Sequence, residues 1–75
     1  MQPTIDEIKT LVRLQLGLKE VRAEDYLVEE LGAESADVVN IIATIEEKYE
    51  IFIDEEELAK IQTVADLYNL VKSQD

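Results

Sequence analysis

SADVVNIIATIEEKY, residues 35–49, is the clearest helical pattern in the chain. Its apolar side chains recur at the spacing of one helix face: Val38, Ile41, Ile42, Ile45 and Tyr49. The other face is polar and acidic, so the pattern predicts an amphipathic helix with one buried side. Because β-branched residues are only modest helix formers, we expect packing against neighbouring elements to stabilise this helix.

A first helix is predicted upstream, followed by a long connection. Thr4 and Glu7 form a Thr-x-x-Glu capping box, and Gly17 is expected to end the helix in the left-handed conformation. Residues 18–34 follow without sustained periodicity. A connection of this length is uncommon inside a compact domain, which indicates that it holds a turn of helix or serves a function.

The C-terminal third is predicted to hold one short helix and one longer helix. Residues 51–53, Ile-Phe-Ile, have no second strand to pair with, so we expect an extended connection pressed into the core. Asp54 can cap a short acidic helix with Leu58 and Ile61 directed inward. Thr63 and Asp66 predict the cap of the last helix. The whole pattern predicts an all-α four-helix bundle in a single domain, residues 1–75.

The net charge of −11, from 18 acidic and 7 basic residues, narrows the classes of partner. It disfavours nucleic acid and anionic membranes, and it favours basic protein partners. Without cysteine or histidine, the chain has no thiolate ligand for a metal and lacks the usual general base. No apolar run could insert in a membrane and no signal-peptide pattern is present, so we expect a cytoplasmic protein. One small core uses the apolar positions, which favours a monomer.

Ser35 is the candidate site, because it stands at the start of the helix with the clearest periodicity, directly after a glycine turn at Gly32. Considered alone, a serine at this point is an N-cap, whose oxygen accepts a hydrogen bond from a backbone N–H. No histidine or nearby lysine could activate it as a nucleophile. A reaction at this hydroxyl therefore needs a base from another protein.

Residues 27–37, LVEELGAESAD, resemble the attachment-site motif of acyl carrier proteins. Residues 4–7, 16–19 and 53–67 resemble the family's opening helix, the end of that helix, and its third and fourth helices. The resemblance implies a non-catalytic bundle of acyl-carrier-protein type. It also implies that a partner transferase esterifies Ser35 with 4′-phosphopantetheine from coenzyme A. The thiol of this arm would hold an acyl group as a thioester for partner enzymes, as in fatty acid biosynthesis.

Two residues beside the serine depart from the family's motif. Glu34 stands where aspartate is usual, and Ala36 stands where leucine is usual. Glu34 keeps the charge on a longer side chain, and Ala36 removes an exposed apolar contact. We expect a narrower set of partners, or weaker modification of Ser35. The same departures favour an alternative, an acidic helical interaction module without a prosthetic group.

The resemblance also implies two surfaces. An acidic strip would dock on Arg- and Lys-rich patches of the modifying enzymes, and its members are Glu34, Asp37, Glu46, Glu47, Glu55 and Glu56. An acyl chain would be stored between the helices, at Leu27, Val28, Val38, Ile42, Ile45, Ile53, Leu58, Ile61 and Leu67. Each of these apolar residues equally suits a role in the core.

Other functional classes fit the sequence less well. No segment has the ligand spacing of a calcium-binding EF-hand. Scattered carboxylates could do acid–base chemistry, but the pattern indicates no cleft that would pair them. The sequence does not distinguish a fatty acyl cargo from a polyketide unit or an aminoacyl group.

Overall fold

Four helices make up the regular structure of residues 3–74, the part of the chain that the computed structural model describes. They are α1 (Ile5–Leu16), α2 (Ser35–Tyr49), α3 (Glu55–Leu58) and α4 (Val64–Lys72). The predicted all-α architecture with one short helix is confirmed. Within these residues the β pairing is limited to a single antiparallel bridge between Tyr26 and Thr63.

Local capping chemistry sets where α1 and α4 begin. The Thr4 N–H donates to Glu7 Oε1 at 2.9 Å, and the Glu7 N–H donates to Thr4 Oγ1 at 3.1 Å. Thr63 and Asp66 exchange the same pair of bonds at the start of α4, each at 3.1 Å. Gly17 ends α1 with φ 67°, in the left-handed region. Both predicted caps and the predicted helix end are confirmed.

The two boxes also change the acidity of their carboxyl groups. The hydrogen bond from the Thr4 backbone lowers the pKa of Glu7 below its usual value, although desolvation opposes the change. The pKa of Asp66 is lowered chiefly by the Thr63 backbone N–H, with a further bond from the Gln62 N–H. Each carboxyl group is therefore more easily ionised in the folded chain than in the unfolded one.

The core lies where α1 packs against α2 and α4. Its most deeply buried side chains are Ile8, Val12, Ile41, Ile45, Val64 and Leu67. The face of α2 predicted from periodicity supplies much of it: Ile41, Ile42, Ile45 and Tyr49 are buried and Val38 is half-buried. The helical interpretation of residues 35–49 is thus confirmed in both its bounds and its buried side.

The long connection between α1 and α2 has turns but no helix, and its carbonyl groups accept hydrogen bonds from the first N–H groups of α4. The first amides of a helix have no acceptor within that helix. Here the Val64 N–H donates to the Asp25 carbonyl at 3.1 Å, and the Ala65 N–H donates to the Ala23 carbonyl at 2.8 Å. Asp25 is itself buried, and its carboxylate accepts the Arg22 N–H at 2.9 Å. The connection therefore has a structural role, as the cap of another helix.

The segment between α2 and α4 differs from the prediction in three places. Asp54 is the N-cap residue of α3, but its side chain makes no capping hydrogen bond. Ile53 is buried and Ile51 is half-buried, but Phe52 is 73% exposed, so the expectation that all three enter the core is wrong for Phe52. An extended backbone turns successive side chains to opposite faces, which accounts for the difference. Helix α3 also ends at Leu58, so Ile61 contributes its half-buried side chain from the following turn.

Candidate functional site

Ser35 is the first residue of α2, and its side chain is exposed to solvent. The N-cap is the preceding residue, Glu34, whose backbone is extended at φ −97° and ψ 169°. The Glu34 N–H donates to Asp37 Oδ2 at 3.0 Å. Interpreting Ser35 as the N-cap is therefore wrong, because the helix begins one residue earlier than that role requires. Within residues 3–74, none of the hydrogen bonds engages the Ser35 hydroxyl.

The backbone that leads to Ser35 is held by two hydrogen bonds that share Leu27. The Ala33 N–H donates to the Leu27 carbonyl at 2.9 Å, and the Leu27 N–H donates to the Gln62 carbonyl at 2.9 Å. Ala33 and Leu27 are both buried, and Gly32 between them takes the left-handed φ of 73° that glycine tolerates best. An exposed hydroxyl thus stands on a fixed stretch of backbone.

The start of α2 suits a phosphodiester on Ser35. The Val38 N–H makes the first helical bond, to the Glu34 carbonyl at 3.0 Å, so the amides of Ser35 and Ala36 precede the helical ladder. Such amides and the positive end of the helix dipole favour an anion at this point. The exposed oxygen, its lack of a competing bond and the helix start together fit a phosphate-linked arm.

The six predicted strip residues fall into two groups. Glu34, Glu47, Glu55 and Glu56 are exposed. Asp37 and Glu46 are half-buried, and each accepts a hydrogen bond from a backbone N–H: Asp37 from Glu34, and Glu46 from Ile53 at 2.8 Å. The Glu46 bond brings the residues before α3 to the last turns of α2. Its partner is seven residues away, so no local spacing pattern indicated it.

The predicted cargo-binding residues are mostly core residues. Leu27, Ile42, Ile45, Ile53 and Leu67 are buried, and Val38, Leu58 and Ile61 are half-buried against them. Val28 is 57% exposed and does not share this environment. Eight of the nine side chains therefore line one apolar interior, which would have to open to admit an acyl chain.

Comparison with known proteins identifies the type of site. Residues 6–71 match the family model described as the phosphopantetheine attachment site. The chain is 43% identical over 70 residues to the acyl carrier protein of Wolinella succinogenes, covering 91% of this chain and 92% of that one. The chain belongs to the acyl carrier protein family. The carrier is also 33% identical over 70 residues to the acyl carrier protein of Clostridium acetobutylicum, covering 91% of each chain.

Solved structures show the same fold for this carrier. A putative acyl carrier protein from Mycobacterium tuberculosis superposes with a TM-score of 0.85 at 26% identity, covering 89% of this chain and 92% of that one. The acyl carrier protein of Thermotoga maritima superposes with a TM-score of 0.79 at 29% identity, covering 93% and 84%. Members of this family are carriers and not catalysts, and their cofactor is covalent 4′-phosphopantetheine.

Two further findings concern residues 3–74 of the carrier. No group of three or more His, Cys, Asp or Glu side chains in this range could hold a metal ion. None of the helices found there has the length and apolarity needed to cross a bilayer.

Proposed function

We propose that Ser35 is the residue that carries the 4′-phosphopantetheine arm. The observation that supports this assignment best is an exposed hydroxyl, without a hydrogen-bond partner among the described residues, at the first position of α2. The other serine of the chain, Ser73, donates its hydroxyl to the Leu70 carbonyl at 2.8 Å. The Ser35 hydroxyl is thus free of hydrogen bonds within the described residues, whereas the Ser73 hydroxyl is engaged in one.

Attachment needs chemistry that this chain does not supply alone. The Ser35 oxygen would form a bond to the phosphorus that bears the pantetheine group of coenzyme A. The phosphoanhydride bond breaks, the adenine nucleotide leaves, and a base of the transferase takes the serine proton. The sequence contains no histidine to serve as that base, which fits a chain that only accepts the arm and does not catalyse its transfer. Once loaded through the thiol of the arm, the carrier would present acyl groups to partner enzymes.

The docking surface proposed for these partners is the set of exposed carboxylates around α2 and α3. Glu34, Glu47, Glu55 and Glu56 are open to solvent and belong to a chain of net charge −11. A transferase or acyl-processing enzyme with Lys and Arg at its entrance would be drawn to this surface. The cytoplasm is the proposed compartment, since the transferase draws on coenzyme A. A monomer is the proposed state, because self-repulsion opposes pairing of like surfaces.

Cargo storage is proposed for the apolar interior around Ile42, Ile45, Ile53 and Leu67. These side chains are at most 4% exposed, so an acyl chain would enter only by separating the helices. Comparing amide chemical shifts of the arm-bearing and acyl-bearing forms tests this idea. Shifts confined to the neighbourhood of Ser35 would show that the cargo stays outside.

Intact-mass spectrometry tests the assignment of Ser35. The purified chain is incubated with coenzyme A and a transferase of broad specificity, and we expect a gain equal to one phosphopantetheinyl group. The Ser35→Ala variant should show no gain, whereas the matched Ser73→Ala variant should gain the full mass. A chain that stays unmodified with several transferases would support the alternative, an acidic interaction module, which the departures at Glu34 and Ala36 favour.

A further inference from the structure

Phe52 is the most exposed large apolar side chain of residues 3–74, at 73%. Leu14, Val39 and Val28 follow at 62%, 59% and 57%. Single apolar side chains are common on protein surfaces and by themselves indicate nothing. What sets Phe52 apart is the way in which its backbone is held and the charge that surrounds it.

The backbone on both sides of Phe52 is bound to one residue of α2. The Ile51 N–H donates to the Glu46 carbonyl at 3.1 Å, and the Ile53 N–H donates to the Glu46 carboxylate at 2.8 Å. Ile53 is buried and Ile51 is half-buried, so the neighbouring side chains also restrain the segment. Between them the aromatic ring is directed outward on a fixed backbone. A backbone held in this way loses little further freedom when the side chain enters a partner.

The charges near Phe52 in sequence are almost all negative. Carboxylates at 46, 47, 50 and 54–57 flank it on both sides, with Lys48 as the one basic residue between 46 and 59. A second copy of the chain would bring the same carboxylates against these, and nucleic acid or an anionic membrane would be repelled in the same way. The chemistry that fits is a protein surface with an apolar pocket for the ring and Lys or Arg side chains around it.

We infer that Phe52 is a preformed aromatic anchor that selects partners of the carrier. It would insert into an apolar pocket with a basic rim on an enzyme that acts on the carried group. This inference rests on the proposed function for the activity of that enzyme. It is separate from the modification of Ser35, because Phe52 lies beyond the opposite end of α2. Aromatic side chains that fill such pockets often carry much of the binding energy of an interface.

Photo-crosslinking in the organism that encodes the chain identifies the partner. Benzoylphenylalanine is placed at position 52 of the full chain, and separately at 14 and 28, two other exposed apolar positions. We expect a protein that crosslinks from 52 and not from 14 or 28. That protein is then purified, and its Kd is measured for the wild-type chain and for variants at low and high salt.

Substitution of the anchor should weaken this complex specifically. We expect Phe52→Ala to raise Kd at least about tenfold, which corresponds to about 1.4 kcal/mol, and Phe52→Trp to restore much of the affinity. The matched Leu14→Ala truncation should leave Kd within about twofold. Because both side chains are largely exposed, the variants should keep the wild-type melting temperature.

Several results would overturn the anchor. They are the absence of a crosslink specific to position 52, a Kd that Phe52→Ala leaves unchanged, a Kd insensitive to salt, and a partner without activity on the carried group. The mass test on Ser35 remains independent of all these. A Phe52→Ala chain that is fully modified at Ser35 but binds the crosslinked protein weakly supports the role of Phe52 as an anchor. A native chain unmodified at Ser35 refutes the proposed function, whatever position 52 does.

Discussion

The Glu46 carboxylate accepts a hydrogen bond from the Ile53 backbone N–H, with 2.8 Å between Oε2 and the nitrogen. Ile53 is 4% exposed, so this bond lies at the border of the core. It ties the last turns of α2 to the extended residues that lead into α3. The same side chain was predicted from sequence only as part of an acidic docking surface.

Loss of this bond should destabilise the fold. Hydrogen bonds to charged groups contribute about 1.5–3 kcal/mol, and the value here falls toward the lower end because Glu46 is only half-buried. We expect Glu46→Ala to lower the free energy of unfolding by about 1–2 kcal/mol, and Glu46→Gln, which keeps an acceptor, by less. Urea unfolding measures both. The control is Glu47→Ala, at the exposed neighbouring residue. An equal loss of unfolding free energy in that variant would show that the bond from Glu46 to Ile53 is not the cause.

Glu50 ends α2 in a conformation that suits glycine. Its φ is 54°, the one positive value among non-glycine residues in the described range, and its N–H donates to the Glu46 carbonyl. A side chain in the left-handed region costs roughly 1–2 kcal/mol relative to glycine. We therefore expect Glu50→Gly to raise the free energy of unfolding by about 1 kcal/mol, and the melting temperature by about 4–8 °C. Glu50→Gln separates this backbone effect from removal of a charge; a gain of the same size in both variants would show that charge is responsible.

The capping carboxylates Glu7 and Asp66 should make stability depend on pH in the acid range. Their pKa values are lowered in the folded chain by backbone N–H groups, first of all those of Thr4 and Thr63. The unfolded chain therefore binds more protons, so their stabilisation is complete above the ordinary carboxyl pKa of about 4 and is lost as pH falls through the lower folded values. Thermal melts from neutral to strongly acid pH should show this decline.

Removing the two carboxylates should flatten that decline. We expect a Glu7→Gln, Asp66→Asn double variant to be less stable at neutral pH and to approach the wild type in acid. Glu24→Gln gives the control, because Glu24 is exposed and is outside both capping boxes. If the double variant kept the wild-type slope of stability against pH, the caps would not be the source of the effect.

Salt should have opposite effects on stability and on docking. Ions screen the repulsion within a chain of net charge −11, so the melting temperature should rise with salt. The same ions screen the attraction to a basic partner, so the KM of a transferase for the chain should rise as well. If neither the melting temperature nor the KM changed with salt, electrostatic forces would govern neither the stability of the chain nor its docking.

Charge removal within the strip locates the docking surface. We expect a Glu47→Gln, Glu55→Gln, Glu56→Gln variant to raise the KM of the transferase severalfold with little change in kcat, because rim charges act mainly on association. The control is a Glu20→Gln, Glu24→Gln variant, whose exposed carboxylates lie in the first connection. An equal rise in KM for the control would show that net charge matters and the position of the charge does not.

Much of the fold followed from patterns that act over one or two helical turns. The boxes at Thr4 and Thr63 and the buried face of α2 depend on residues three or four apart, so their chemistry is visible in a single sequence. The family motif around Ser35 likewise lies within one short block. The two boxes and the buried face are the elements for which the structure agrees with prediction, apart from the one-residue shift of the α2 cap to Glu34.

The features that escaped prediction depend on residues far apart in the chain. Ala23 and Ala65 share a hydrogen bond, as do Leu27 and Gln62, and nothing in either local sequence indicates the other partner. The outward direction of Phe52 follows from the register of an extended segment, which is set by the bond between Ile53 and Glu46. Single-sequence patterns carry no information on such register.

The carbonyl groups of Ala23 and Asp25 complete the first turn of α4, and this has a consequence for how the molecule unfolds. Helix α4 has 9 residues, fewer than the roughly 12–15 that an isolated helix needs in water. Helix α4 therefore depends on its packing against α1 and on the carbonyl groups of residues 23–25 that complete its first turn. Melting should be all-or-none, with the amide protons of Val64 and Ala65 exchanging at the rate of global opening.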